Sequence, residues 1–236
     1  MLKPARYNKN TGIILDEKNN KFTIPSSFSC INNAKAINKT TNKPILDKDI
    51  YFNYSESFEL IEKSGLSQFG SNLKKSTKHE NSLIEYTILS GTYEINENVI
   101  FPQDAKLIIK PGVKILIAES KSILVRGDFS ALGTPSNPIV INNKDEKPYG
   151  TFAVKGTTLN PSQAILENVS LQGGSEAIID GTYFSGQLSI HIANVIIKKS
   201  EFQNSFSDDG INIKLGDVEI TNNIFRNNSA DQVDLD

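Results

Sequence analysis

Ser207-Asp208-Asp209-Gly210-Ile211-Asn212-Ile213-Lys214 recurs 22 positions further on as Ser229-Ala230-Asp231-Gln232-Val233-Asp234-Leu235-Asp236. Ser, Asp and both apolar positions coincide. Between the copies, the stretch from Val218 to Asn228 repeats that from Val195 to Ser205 at a shift of 23, which brings Phe225 into line with Phe202. Further upstream, Ile165 to Gly174 fits the same frame at a shift of 31, with Leu171 where Phe202 falls. The extra length matches an insertion around Gly181-Thr182-Tyr183-Phe184-Ser185-Gly186. Recurrence at a near-constant period marks stacked units, each burying its apolar side on the next.

A unit of about 22 residues holds three short strands and three turns, because alternate strand residues point to opposite faces. Ile211, Ile213, Val233 and Leu235 are therefore expected to point into an apolar bore, and Asn212, Lys214, Asp234 and Asp236 outward. Upstream the same texture continues in runs such as Ala105 to Ile109, Lys114 to Ile117, Ser122 to Val125, Pro138 to Ile141 and Gln163 to Leu166. Gly, Pro, Asn or Asp separates the runs, which leaves no room for crossover helices. The reading is an all-β, right-handed parallel β-helix of ~22-residue rungs over residues 81–236, preceded by an irregular or capping segment over 1–80. Within that segment Phe58, Leu60 and Ile61 mark one short amphipathic helix stopped at Gly65, and helix is expected nowhere else. Ladders of Asn are expected to satisfy turn backbone groups.

Bulk properties exclude several classes. With 25 basic and 27 acidic residues, net charge −2, there is no positive field for phosphates, so nucleic acid is an unsuitable partner. Cys30 is the only cysteine, which removes internal disulfides and multi-cysteine zinc sites. No apolar stretch has the length of a membrane span, and Met1-Leu2-Lys3-Pro4 opens no secretory signal. The abundance of Asn and Lys reads as genome base composition.

The entry segments Gly91-Thr92-Tyr93-Glu94-Ile95, Leu107 to Gly112, Val125 to Thr134 and Asn137-Pro138-Ile139 are similar to the first turns of surface-exposed β-helix proteins. The later rungs carry D-G-I-x-I followed by N-N-x-F-x-N-N. In this the chain resembles the pectate-lyase-like right-handed β-helix superfamily and its carbohydrate-associated repeats. That resemblance implies an extracellular or cell-surface location, a polysaccharide or surface glycan as partner, and a scaffold shared by lyases, hydrolases, adhesins and structural modules.

The repeat stacks Asp209 on Asp231, Asn212 on Asp234 and Lys214 on Asp236. Asp208, Asp209, Asp231 and Asp234 form a candidate oxygen cluster for Ca2+, the one cofactor expected. The same residues also read as turn aspartates bonded to backbone, with Lys214 and Asp236 as a surface ion pair. A lyase needs a base, and Lys198, Lys214 and Arg226 are the candidates near the acidic rungs. Tyr183 and Phe184, in a Gly-bounded insertion, are candidates for stacking on sugar rings, or else cover the core. His191 falls on the outer face of a strand. The leading expectation is a non-catalytic surface module, binding or structural, within a larger protein. The alternatives are a Ca-dependent polysaccharide lyase or epimerase and an oligomeric adhesin or tail-fibre-like protein. The last rung copy, closing at Asp236 without a cap, points to further rungs or self-association there.

Overall fold

The computed structural model describes residues 65–77, 83–103 and 105–236, together with the backbone of five short strands within the first 64. The chain divides into two compact units, Met1–Glu62 with Asp180–Tyr183, and Lys63–Ile179 with Phe184–Asp236. In the first, Arg6–Tyr7, Ile14–Asp16 and Lys21–Thr23 make a three-stranded antiparallel sheet, and Ile37–Asn38 pairs with Lys43–Pro44. The helix expected around Phe58 to Ile61 lies outside the described residues.

From Ile84 on, the second unit is built of three sheets that the chain visits in rotation, interrupted only by the inserted strands Ala177–Ile179 and Thr182–Phe184. The first holds Leu73–Thr77, Ile84–Ile88, Ala105–Ile109, Asp128–Leu132, Ser162–Glu167, Ala193–Lys198 and Val218–Thr221. The second holds Gly91–Ile95, Val113–Ile117, Ile139–Asn143, Val169–Gln172, Glu201–Gln203 and Ile224–Arg226. The third holds Val99–Phe101, Ile123–Val125, Phe152–Lys155, Gly186–His191, Asp209–Lys214 and Asp231–Leu235. Every pairing is parallel except that of Leu73–Thr77, which runs antiparallel to Ile84–Ile88 and lies upstream of residue 81.

The registers are those of the sequence repeat. Asp209 faces Asp231, Ile211 Val233, Asn212 Asp234 and Ile213 Leu235; Phe202 faces both Leu171 and Phe225. Alternation sets the inward columns: Ala105–Ile109 and Val113–Ile117 bury every second residue. One column runs Tyr93, Ile115, Ile141, Leu171, Phe202, Phe225, and another Val99, Ile123, Phe152, Leu188, Ile211, Val233. Large and small side chains interleave, with Phe129 packed on Phe152 at 5.1 Å and Tyr86 edge-on to Phe101 at 5.5 Å.

At the N-terminal end the bore is plugged. Contrary to the expectation of no helix beyond Gly65, 3-10 turns span Leu66–Asn72, broken by a kink at Gly70. The segment begins after Gly65, whose φ of 68° suits glycine, and lays buried Phe69 against Tyr93 and Phe101 at 5.5 and 6.1 Å. The apolar residue at the fourth position of a Gly-bounded turn is a local feature that strand alternation does not reveal.

Asparagine has a structural reason here. In the last three circuits the residue after each of eight strands is left-handed: Asn168, Lys199 and Asn222 after the first sheet, Gly173, Asn204 and Asn227 after the second, Ile192 and Leu215 after the third. That conformation turns the chain toward the next sheet, and Asn tolerates it best among residues with a Cβ. Other asparagines act from the turn inward. Asn223 Oδ1 accepts from the Ser200 amide at 2.8 Å while its Nδ2 donates to the Ile197 carbonyl, and Asn228 does the same for Ser205 and Phe202. Genome composition is therefore not needed to explain these residues.

Among the described residues two buried side-chain atoms lack a hydrogen-bond partner, Asn142 Oδ1 and the Tyr149 hydroxyl. Tyr149 is fully buried, and its hydroxyl has no hydrogen-bond partner; burial raises its pKa well above the ordinary tyrosine value. Tyr149→Phe is expected to raise stability by about 1 kcal/mol, since it removes a desolvated hydroxyl and keeps the ring. A loss of stability in a denaturant titration would show that a buried water serves the hydroxyl.

Candidate functional site on the third sheet

The outward column of the third sheet changes character along its length: Ile100, Leu124, Ala153, Ser189, Asn212, Asp234. Its apolar part is covered, because Leu124 and Ala153 pack with Ile179 and Phe184 in a cluster separate from the bore. The insertion read from the 31-residue spacing carries these covering residues on the strands Ala177–Ile179 and Thr182–Phe184. The polar half of the column is largely shielded as well, with Ser189 and Asn212 buried and Asp234 half-buried.

Phe184 is the hinge between the two halves. It is fully buried, and its ring lies 4.7 Å from that of His191. Of the two aromatics expected to stack on sugars, Phe184 therefore packs on the wall, whereas Tyr183 is partly exposed. His191 sits on the outer face as alternation requires, yet it is buried beneath Phe184, which alternation could not foretell.

Three side chains then form a line. His191 Nε2 lies 3.0 Å from Asn212 Oδ1, and Asn212 Nδ2 donates to Asp234 Oδ2 at 2.8 Å. A carboxylate only accepts, so Asp234 fixes the Asn212 amide with its NH2 toward the acid and its oxygen toward the ring. That oxygen requires a proton on Nε2, so the neutral imidazole donates and Nδ1 carries the lone pair. In the adjoining column His191 faces Lys214, whose ammonium meets Asp236 at 2.6 Å. The lysine holds the Asp236 carboxyl below its usual range.

Burial lowers the His191 pKa to about 4; the Asn212 hydrogen bond opposes this, and the charges of Lys214 and Lys155 add to it. The folded ring binds its proton more weakly than the unfolded one. Stability from this group is therefore complete above pH 6.5 and is lost as pH falls toward 4, in total by about 3 kcal/mol. His191→Gln should remove that slope. Urea midpoints between pH 4 and 7 check it, and equal slopes in the two proteins would show an imidazole that charges freely in the fold.

Of the aspartates expected to hold Ca2+, Asp209 and Asp231 stand opposite each other in neighbouring strands, and Asp208 and Asp234 lie within electrostatic reach of Asp209. Asp209 is buried, and its main-chain carbonyl accepts hydrogen bonds from Ser205 and Ser207. Its carboxyl is raised above the usual range by burial, a Ser185 hydrogen bond partly offsetting this, with the charges of Asp234, Asp208 and Asp231 adding to it. Asp231 faces Asp209 in register, Asp208 accepts the Asp231 amide at its carbonyl, and Asp234 is bound by Asn212. Among the described residues no three Asp, Glu, His or Cys side chains gather as a metal-binding group.

The three candidate bases are each paired across circuits. Lys198 meets Glu219 at 2.7 Å, Lys214 meets Asp236 at 2.6 Å, and Arg226 Nε lies 3.5 Å from Glu201. Lys199 likewise bonds Glu167 at 2.8 Å and lowers the pKa of that carboxyl. Exposed pairs of this kind contribute about 0.2–1 kcal/mol each. Their chemical effect here is to occupy the side chains that a proton abstraction would use.

No family model, no curated protein and no solved structure matches this chain. Among the described residues no helix is long and apolar enough to cross a membrane.

Proposed function

We propose that residues 63–236 form a right-handed parallel β-helix that works as a non-catalytic, glycan-binding module outside the cell. Three parallel sheets visited in rotation support the coiled reading, and right-handed crossover between parallel strands is the general rule. The resemblance of the entry turns and later repeats to surface β-helix proteins supports the location and the partner class.

One observation carries the preference for binding over catalysis. Every candidate base is held in an ion pair with a carboxylate one circuit away. The adjoining wall offers the half-buried Asp234 carboxylate, fixed by the fully buried Asn212 amide, as an acceptor for a sugar hydroxyl. The lyase reading needs the opposite arrangement, a free base beside a bound cation.

The test is a panel of soluble neutral and acidic polysaccharides, measured by affinity electrophoresis and by ultraviolet absorbance with and without Ca2+. The expected result is retardation by at least one polymer without unsaturated products, weakened at least fivefold in Asp234→Ala. Calcium-dependent absorbance growth would replace this reading with the lyase one. Absence of retardation across the panel would remove glycan binding.

A further inference from the structure

Three consecutive turns carry the chain from the third sheet to the first, and they differ in length. Three residues separate Val99–Phe101 from Ala105–Ile109, two separate Ile123–Val125 from Asp128–Leu132, and six separate Phe152–Lys155 from Ser162–Glu167. The short middle turn is recessed between longer neighbours, and residues of all three line a cavity of about 70 Å³. That volume is the share of roughly two water molecules in the liquid.

The polar lining keeps hydrogen-bonding capacity in reserve. Ser162, only 3% exposed, lies at the floor, and among the described residues its hydroxyl meets no hydrogen-bond partner. A hydroxyl so placed costs free energy unless something in the cavity bonds to it. The exposed side chains of Gln103 and Asn160 flank the mouth, and neither amide is hydrogen-bonded among the described residues. Asn160 stands on a closed turn: its main chain and that of Thr157 exchange hydrogen bonds at 3.1 Å, and Thr157 Oγ1 also accepts from the Asn160 N–H.

Charge narrows the occupant. Arg126 brings a cationic fork of five N–H donors, more than one protein partner takes up, which disfavours a cation. Asp128 accepts the Gln163 main-chain N–H on Oδ1 at 2.9 Å and has a second oxygen to offer as acceptor, which disfavours an anion. A neutral group that both donates and accepts satisfies the two together. We propose that this cavity binds the vicinal diol of a sugar or polyol, its two hydroxyls replacing two waters among Ser162, Asn160, Arg126 and Asp128. Adjacent hydroxyls match the volume, and each reproduces the bonds of the water it displaces. The cavity lies on earlier circuits than Asp234 and does not rest on the reading of that wall.

The probes are glycerol, methyl glucoside and methyl mannoside, titrated into the whole 15N-labelled chain while the side-chain amide signals of Gln103 and Asn160 are followed. Saturating shifts are expected, with binding at least fivefold weaker for 1,3-propanediol, which lacks the adjacent hydroxyl. Glycerol alone acting would identify a free polyol as the ligand, and a glycoside acting more strongly would identify a sugar residue. Ser162→Ala, read at the Gln103 signal, should weaken binding at least fivefold with no change in melting temperature. Gln103→Ala alters an exposed position and should weaken it in the same direction, read at Asn160. No saturation with any diol, equal response to 1,3-propanediol, unchanged binding in Ser162→Ala, or a stronger response to acetate or phosphate would each overturn the proposal. Asp234→Ala should leave these shifts in place, so this site and the glycan-binding wall can fail separately.

Discussion

Phe202→Ala is expected to cost about 3–5 kcal/mol, the usual range for removing a fully buried phenylalanine. In a domain of this size that corresponds to a melting temperature lower by roughly 6–20 °C. Phe202 lies between Leu171 and Phe225 in one column, and its ring stacks on Phe225 at 5.5 Å. Its loss leaves a void bounded by stacked strands, and parallel ladders on both sides prevent the strands from moving in to fill it. The informative comparison is Phe225→Ala. Phe225 occupies the same column one circuit on but is only partly buried, so its removal should cost less than half as much. Equal losses in urea titrations of the two proteins would mean that the far face of Phe225 is covered in solution.

Gly127→Ala is the second large effect. Here the constraint is distance, since a Cβ at this position would lie 2.1 Å from the Ala105 carbonyl oxygen and 3.1 Å from the Ala105 nitrogen. Ala105 opens a strand paired to both neighbours, so its carbonyl cannot move without breaking the register of the first sheet. Overpacking against fixed backbone is expected to cost about 3 kcal/mol or more. Thermal melting of the soluble variant measures the loss. A variant as stable as the parent would show that the corner between the third and first sheets is looser than these contacts require.

Much of the second unit was legible because its repeat is written into the chain. The pairs Asp209 with Asp231 and Phe202 with Phe225 follow from shifts of 22 and 23 residues, since stacked parallel strands convert sequence spacing directly into strand neighbours. Leu171 with Phe202 followed equally well, because an insertion lengthens a turn without changing the register on either side. The plug at Phe69 was not legible, as one short 3-10 turn has no periodicity to detect.

The candidate site divides along the same line. Sequence placed His191, Asn212, Lys214, Asp234 and Asp236 on one outer face and stacked Lys214 on Asp236. It could not show that Phe184 closes over His191, that the amide of Asn212 turns its oxygen to the imidazole, or that Lys198 and Arg226 are bound to Glu219 and Glu201. These are diagonal or inserted contacts, set by side-chain reach and not by period.

What the sequence alone determined is the order of strands, their inward residues and their register, because hydrophobic alternation and a repeated length leave few ways to bury the apolar side. What the tertiary structure decided is which outward residues see water. The insertion covers part of the third sheet, and cross-circuit carboxylates occupy the basic side chains. Burial on an outer face depends on what lies above it in space, and no local spacing encodes that.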